Sequence, residues 1–305
     1  MTSKLCSLTE AVATHVRDGD TVILEGFTHL IPFAAAHEII RQGRRDLTLV
    51  RLTPDLIYDQ MIAAGCCRKL VFSWAGNPGV GSLHAFRRAV EQGIPSPIVI
   101  EEYSHFALAM RLFAGASGLP FMPLRSLRGS DLPGVNPSIS TVTCPFTGEA
   151  LDAVPALRAD VALLHVQRAD TDGNAQVWGL TGAQKESAFA ADRVIITAEE
   201  IVPSSVVRAD PNRTLVPGSK VSAVCVARHG AHPSYAQGYY DRDAAFYDAW
   251  DEISRDHDRL RAWLDAWVHG VPDRDAYMRL LGEERVQQLA AEPAFAAPVN
   301  YGRYA

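Results

Sequence analysis

Three short stretches hold residue types that can do chemistry. Glu101 and Glu102 stand together, and His105 follows three residues after the second. A carboxylate near an imidazole is suited to moving protons between reacting groups. Successive side chains of a strand face opposite ways, so the two glutamates would serve different faces. A carboxylate ahead of a helix also favours that helix end electrostatically, which is the competing reading. The second stretch is Gly76-Asn77-Pro78-Gly79-Val80-Gly81-Ser82, the most glycine-rich loop of the chain. Its spacing fits neither a Walker loop nor a dinucleotide fingerprint. It brings several backbone N–H groups to the start of a helix, where an anion or oxyanion is favoured; a plain turn is the alternative. The third is Gly26-Phe27-Thr28-His29, between an apolar run and Pro32. Gly26 suits a tight turn, and His29 is a candidate substrate contact. His229 and His232 are further candidates for holding an anionic substrate. No GxSxG or HExxH pattern is present, and the five cysteines contain no CxxC pair, so no metal site is expected.

Alternating strands and helices must position these stretches. Ser7 to Val16 predicts a helix with Ser7 as N-cap and Glu10 completing a capping box, its inward face formed by Leu8, Val12 and Val16. Thr21 to Leu24 predicts the first strand, and Phe33 to Gln42 a helix. Strand Leu47 to Leu52, helix Leu56 to Ala64 and strand Lys69 to Trp74 lead into the glycine-rich loop. Leu83 to Gln92 is an amphipathic helix with Leu83, Phe86 and Val90 inward. Strand Pro97 to Tyr103 ends in the glutamate pair, helix Phe106 to Ala116 follows, and Leu119 to Leu124 is a fifth strand. This alternation predicts a parallel sheet covered on both faces. Ligands of such sheets gather beyond the carboxyl ends of the strands, where all three stretches fall. Arg125 to Pro155 lacks any strong period and reads as a long irregular segment. Buried strands resume from Asp160, at Arg193 to Ala198 and at Val221 to Ala227, with a short helix, Gly182 to Ala190, among them. His229 to Asp243 is irregular and aromatic. The expected architecture is α/β: a three-layer α/β/α domain over residues 1–243 with a mostly parallel open sheet. A helical C-terminal tail over 244–305, one long helix to about Asp265 and two shorter ones, packs on the same domain.

Totals narrow the function classes. Hydrophobic residues make up 48% and charged residues 21%, which suits a globular chain with a sizeable core. The net charge of -6 and the lack of a basic stripe argue against nucleic acid as a partner. Without a signal-peptide layout or an apolar run near the roughly 20 residues of a membrane span, a cytoplasmic chain without a membrane partner is expected; the odd cysteine count fits a reducing compartment.

Several of these segments together resemble the family I CoA-transferases. They are Asp18-Gly19, the apolar strand with Gly26-Phe27 and Pro32, and Ala169-Asp170-Thr171-Asp172-Gly173-Asn174-Ala175. The Gly76 to Ser82 loop, Glu101-Glu102-Tyr103, Leu119-Pro120-Phe121 and the run from Ala231-His232-Pro233 to Tyr239-Tyr240 are similar to the A-type subunit of glutaconate-type members. The departures are Glu25, where a first glycine is usual, and Ile31, where a later one is, which make the loop bulkier and anionic. The resemblance implies transfer of CoA between an acyl-CoA and a carboxylic acid, of glutaconate or 3-oxo acid type. A glutamate attacks the thioester, passes through an anhydride and a glutamyl-CoA thioester, and hands CoA to a second acid, splitting one hard transfer into easier steps. In two-subunit members that glutamate lies on the B-type subunit, followed by Asn or Ser and Gly. No glutamate here has that sequel, so the resemblance implies an A-type subunit that needs a B-type partner in a hetero-oligomer. Coenzyme A thioester is then a substrate, with no permanently bound cofactor. The pocket implied comprises Gly26, Phe27, Thr28, His29, Gly76, Asn77, Gly79, Gly81, Ser82 and Glu101, with Glu102 and His105 as catalytic candidates. A CoA-thioester hydrolase of the same fold, acting in ring or steroid catabolism, is the enzymatic alternative. A non-enzymatic effector-binding domain is the other.

Overall fold

The computed structural model describes residues 3–291; the predicted tail beyond residue 291 lies outside the described residues. Helix α1 (Leu8–His15) opens with the capping box: Ser7 Oγ accepts from the Glu10 amide at 3.2 Å, and Glu10 Oε2 accepts from the Ser7 amide at 3.0 Å. Four strand–helix units follow: β1 (Thr21–Glu25), α2 (Phe33–Arg41), β2 (Leu47–Val50), α3 (Leu56–Ala63), β3 (Cys67–Phe72), α4 (His84–Glu91), β4 (Val99–Glu102) and α5 (His105–Ala116). Ser104 rather than a glutamate caps α5, accepting from the Ala107 amide.

The alternation then breaks. Strand β5 (Phe121–Leu124) leaves the parallel sheet. It pairs antiparallel with β7 (Ala150–Pro155), which also pairs with β6 (Ser140–Thr143). The expectations of a fifth parallel strand and of an irregular Arg125 to Pro155 are therefore corrected: with the short helix α6 (Leu132–Val135), this region builds a separate three-stranded sheet. Its strands are short and half exposed, so their local pattern carries little signal.

The long strands β8 (Ala159–Ala169) and β10 (Ala191–Ile201) flank the short β9 (Ala175–Gln176) and helix α7 (Gln184–Ala190). Helix α8 (Ser204–Ala209) and strands β11 (Thr214–Val216) and β12 (Ala223–Val226) come next. The parallel strands lie in the order β12–β10–β8–β1–β2–β3–β4. The chain thus builds outward from β1 to β4, then returns to the other side of β1 with β8. That reversal, with Glu25 opposite Leu164 in register, is the switch point at which open α/β sheets leave a crevice.

Side chains alternate across the sheet as a strand requires. Val22 and Leu24 enter the core under α1 to α4, whereas Ile23 faces the second core, under α5 and α7. The tail forms α9 (Ala244–Arg255), α10 (His257–Leu264), a π turn, α11 (Arg274–Leu281) and α12 (Glu283–Leu289). The single long helix expected here is broken at Asp256, which caps α10 by accepting from the Arg259 amide at 2.8 Å. Tyr247, Trp250, Leu260, Trp263 and Leu264 join the first core. Because α9 lies over α4, the inward face of α4 is Leu83, Ala85 and Ala89 with Phe86 partly covered; Val90, expected inward, is 42% exposed.

Candidate active site

The switch point is marked by charge that the interior should not tolerate. Glu25 ends β1 two residues after Ile23, so its side chain faces α5 and α7, fully buried. Arg51, just past β2, is equally buried. It donates to the Gly26 carbonyl and pairs with Asp55 at 2.9 Å. Asp55 also caps α3. One guanidinium thus faces two carboxyl groups, and Asp55 has it. Among the described residues, no hydrogen bond of normal geometry reaches either oxygen of Glu25, although the amides of Gly26, Leu52 and Ala183 lie around it. Burial drives its acidity constant upward, only partly offset by Arg51, as expected when the charged form loses water without gaining a full partner.

Above this group lies an open hollow of about 380 Å³. Phe27 and Leu52 form its sheet side, Ala109, Met110 and Phe113 of α5 one wall, and Leu180 to Ala183 with Glu186 the other. Gly182 is its thin point. A Cβ there would sit 3.2 Å from Glu25 Oε1 and 2.8 Å from Phe27 Cβ. Gln184 holds the turn by accepting from the Gly182 amide at 2.6 Å.

The loop after β1 is locked from behind. A Cβ on Gly26 would lie 2.6 Å from the Leu30 carbonyl oxygen, so only glycine fits. Thr28 and Leu30 both take left-handed backbone, strain typical of functional loops. Thr28 O accepts from Ser234 Oγ at 2.7 Å. His29 is fully buried: Nδ1 lies 2.8 Å from Leu180 O, so it carries the proton, and Nε2 accepts from the Gln237 amide at 3.0 Å. Burial pushes its pKa down to about 4. It therefore braces the wall of the hollow from inside. His232 is likewise interior, paired with Asp243 at 3.0 Å, and the His229 amide donates to Glu199.

The glycine-rich loop spends its backbone on itself. The amides of Asn77, Val80 and Gly81 bond within the loop, and that of Gly76 goes to Pro54 O. Among the described residues only those of Gly79 and Ser82 have no protein partner in this stretch, fewer than the sequence suggested. At the end of β4 the two glutamates part as alternation requires. Glu101 is tied to Lys69, to Arg111 at 2.6 Å and to Tyr103 at 2.6 Å. Burial opposes its charge, but these partners outweigh it and hold the carboxyl below its usual range. Glu102 and His105 are exposed, with the Glu102 carbonyl held by Asn136. Of the residues expected from sequence, Phe27 lines the hollow; Gly26 and His29 shape it from beneath, and the β3 and β4 loops sit further along the sheet edge. Glu25, Arg51, Asp55 and Gln184 were not picked out as site residues. The signal for Glu25 and Arg51 was a charge closing an otherwise apolar strand, in Thr21 to Glu25 and again after Leu47 to Val50.

The sequence pattern of the coenzyme A transferase family matches residues 6–227. The chain belongs to the coenzyme A transferase family. Within it, the likeness is to A-type subunits. The A-type subunit of 3-oxoadipate CoA-transferase from Pseudomonas knackmussii is 56% identical over 281 residues, covering 92% of this chain and 99% of that protein. The A-type subunit of glutaconate CoA-transferase from Acidaminococcus fermentans is 34% identical, covering 95% and 96%. The crystal structure of glutaconate coenzyme A-transferase from Acidaminococcus fermentans superposes with a TM-score of 0.91 at 34% identity, over 95% of this chain and 96% of that one. The three-layer fold and the role of an A-type coenzyme A transferase subunit expected from sequence hold, and that likeness implies a partner subunit. Among the described residues, no helix is long and apolar enough to cross a membrane.

Proposed function

We propose that this chain joins a B-type subunit to move CoA between a 3-oxo-dicarboxylic acyl-CoA and a carboxylic acid in the cytoplasm, with coenzyme A thioester as substrate. The observation carrying this reading is the 56% identity, over 92% of this chain, with the A-type subunit of a 3-oxoadipate CoA-transferase. The nucleophilic glutamate belongs to the partner. Its carboxylate attacks the thioester carbonyl and expels CoA thiolate, leaving a mixed anhydride. The thiolate then attacks the glutamyl carbonyl and releases the first acid. A second acid reverses the sequence. This chain supplies the acyl hollow under Phe27 and Gly182, and the free amides of Gly79 and Ser82 are oriented donors for the oxyanion of either addition. Glu102 and His105, exposed at the end of β4 and the start of α5, are the side chains this reading turns toward the partner.

The test is co-expression with the B-type subunit, incubation with 3-oxoadipyl-CoA, and trapping with hydroxylamine or borohydride. A labelled glutamate on the partner, and no activity of this chain alone, is the expected result. CoA released without a trapped intermediate would replace transfer by hydrolysis, and Glu102 and His105 would then be the first residues to vary.

A further inference from the structure

The hollow at the β1–β8 switch point is mostly apolar on its walls, Thr181 and Glu186 apart, but polar groups lie beneath its floor. Two fully or almost fully buried side chains there have polar atoms without partners among the described residues: both oxygens of Glu25 and Nε2 of Gln184. Leaving such atoms unpaired costs about 1–3 kcal/mol each, which a fold retains where something else satisfies them. Gly182 bares the group: the site of its missing Cβ is 3.2 Å from Glu25 Oε1 and 3.6 Å from Gln184 Oε1. A ligand atom resting on this glycine, with a small turn of the half-exposed Phe27 ring, comes within hydrogen-bond reach of the carboxyl. Arg51 answers it only in part: its two Nη atoms go to Asp55 and the Gly26 carbonyl, and no hydrogen bond from the guanidinium reaches Glu25.

We propose that Glu25 is the specificity-determining residue of the acyl pocket, its carboxylic O–H donating to an oxygen carried by the acyl chain beyond the thioester. Burial without a full counter-charge raises its acidity constant, which favours the protonated form that can donate to a keto or carboxylate oxygen, where an ionised glutamate would repel it. Plain alkanoyl chains leave it unsatisfied. A site built to hydrogen-bond a substrate rejects the analogue lacking that group far more strongly than an apolar pocket rejects an extra methylene. This inference rests on the transferase reading and adds to it the residue that selects the acyl chain.

The experiment uses the assembled two-subunit enzyme and isotope exchange between each acyl-CoA and its own free acid. The pair is 3-oxoadipyl-CoA with 3-oxoadipate against hexanoyl-CoA with hexanoate, equal in carbon number. Glu25→Gln, which keeps a donor of the same length, is expected to hold the wild-type kcat/KM ratio within about threefold; Glu25→Leu is expected to lower it by about 30-fold or more, through the 3-oxoadipyl exchange. Should Glu25→Leu fail to assemble, Gly182→Ala, which covers the carboxyl from the surface, must move the ratio the same way. An active wild type whose ratio is unmoved by these variants, or a Gln variant as poor as Leu, overturns the role of Glu25 alone. A wild type that exchanges neither pair overturns the transferase reading and this inference with it.

Discussion

The Asn77 side chain donates to the carbonyl of Tyr247 across 2.8 Å, tying the glycine-rich loop after β3 to the first helix of the tail. Arg242 adds a second tie, to Pro78 O at 2.9 Å. Asp251, one turn beyond Tyr247, pairs with His84 at 2.9 Å and lies 3.6 Å from where a Cβ on Gly81 would sit. The tail therefore sets the position of a loop that reaches the strand ends. Asn77→Ala is expected to cost about 0.5–1.5 kcal/mol by removing this one hydrogen bond, since the Tyr247 carbonyl lies within α9 and keeps its helical partner. Its larger effect should be on the reaction, since a shift near 1 Å in a positioning element can cost up to about 100-fold. Thermal melting and kcat/KM of the assembled enzyme check this together. A variant whose melting point falls while its activity is unchanged would mean that the loop plays no part in the site.

The same helix reaches the core through Trp250. Its indole N–H donates to Asp59 Oδ2 at 3.1 Å, and the Phe86 amide donates to Asp59 Oδ1 at 2.8 Å. Burial nevertheless raises the Asp59 carboxyl from 3.8 to about 6. The folded state thus holds this proton more tightly than the unfolded one. The associated stability is fully present below about pH 4 and is lost as pH rises through about 6, a swing of about 3 kcal/mol at 1.36 kcal/mol per unit. Asp59→Asn removes the titration. The stability of wild type minus that of the variant, from urea melts between pH 4 and 7, is expected to fall by that amount; a constant difference would show that the two N–H donors keep Asp59 ionised throughout.

Much of this was legible in the sequence because it is local. The capping box at Ser7 and Glu10 is four residues long, and the strands of the parallel sheet are apolar runs bounded by glycine or proline. What escaped depends on distant partners. Leu119 to Leu124 looks like one more strand of the series, and only its pairing with Ala150 to Pro155 takes it out of the main sheet. In α4 the spacing picks Phe86 and Val90, but the helix turns the small Ala85 and Ala89 inward under α9, where close approach favours small side chains. Asp256 was a visible cap signal inside the apparent long helix. The importance of Glu25 was half visible: a carboxylate closing an apolar strand stands out, but its lack of a full counter-charge depends on Asp55 sharing Arg51, and its closeness to the hollow depends on Gly182, 157 residues away along the chain.

His29 offers a test of the wall of the hollow that does not depend on turnover. Its neutral ring bridges Leu180 O and the Gln237 amide, so protonation would break the bond from Gln237 and place a charge in the core. With the pKa lowered from 6.5 to about 4, the sign is opposite to that of Asp59. The stability contributed is complete above about pH 6.5 and is lost as pH falls to about 4, near 3 kcal/mol in all. His29→Gln abolishes this titration. The difference between wild type and variant should therefore shrink as the solution is acidified from pH 7 to pH 4, measured by urea melts over the same range. The variant should also loosen Leu180 to Ala183, seen as faster amide hydrogen exchange there at pH 7, because the Leu180 carbonyl loses its donor. Unchanged exchange in that segment would mean that His29 does not hold the wall and that the turn at Gly182 is set by Gln184 alone.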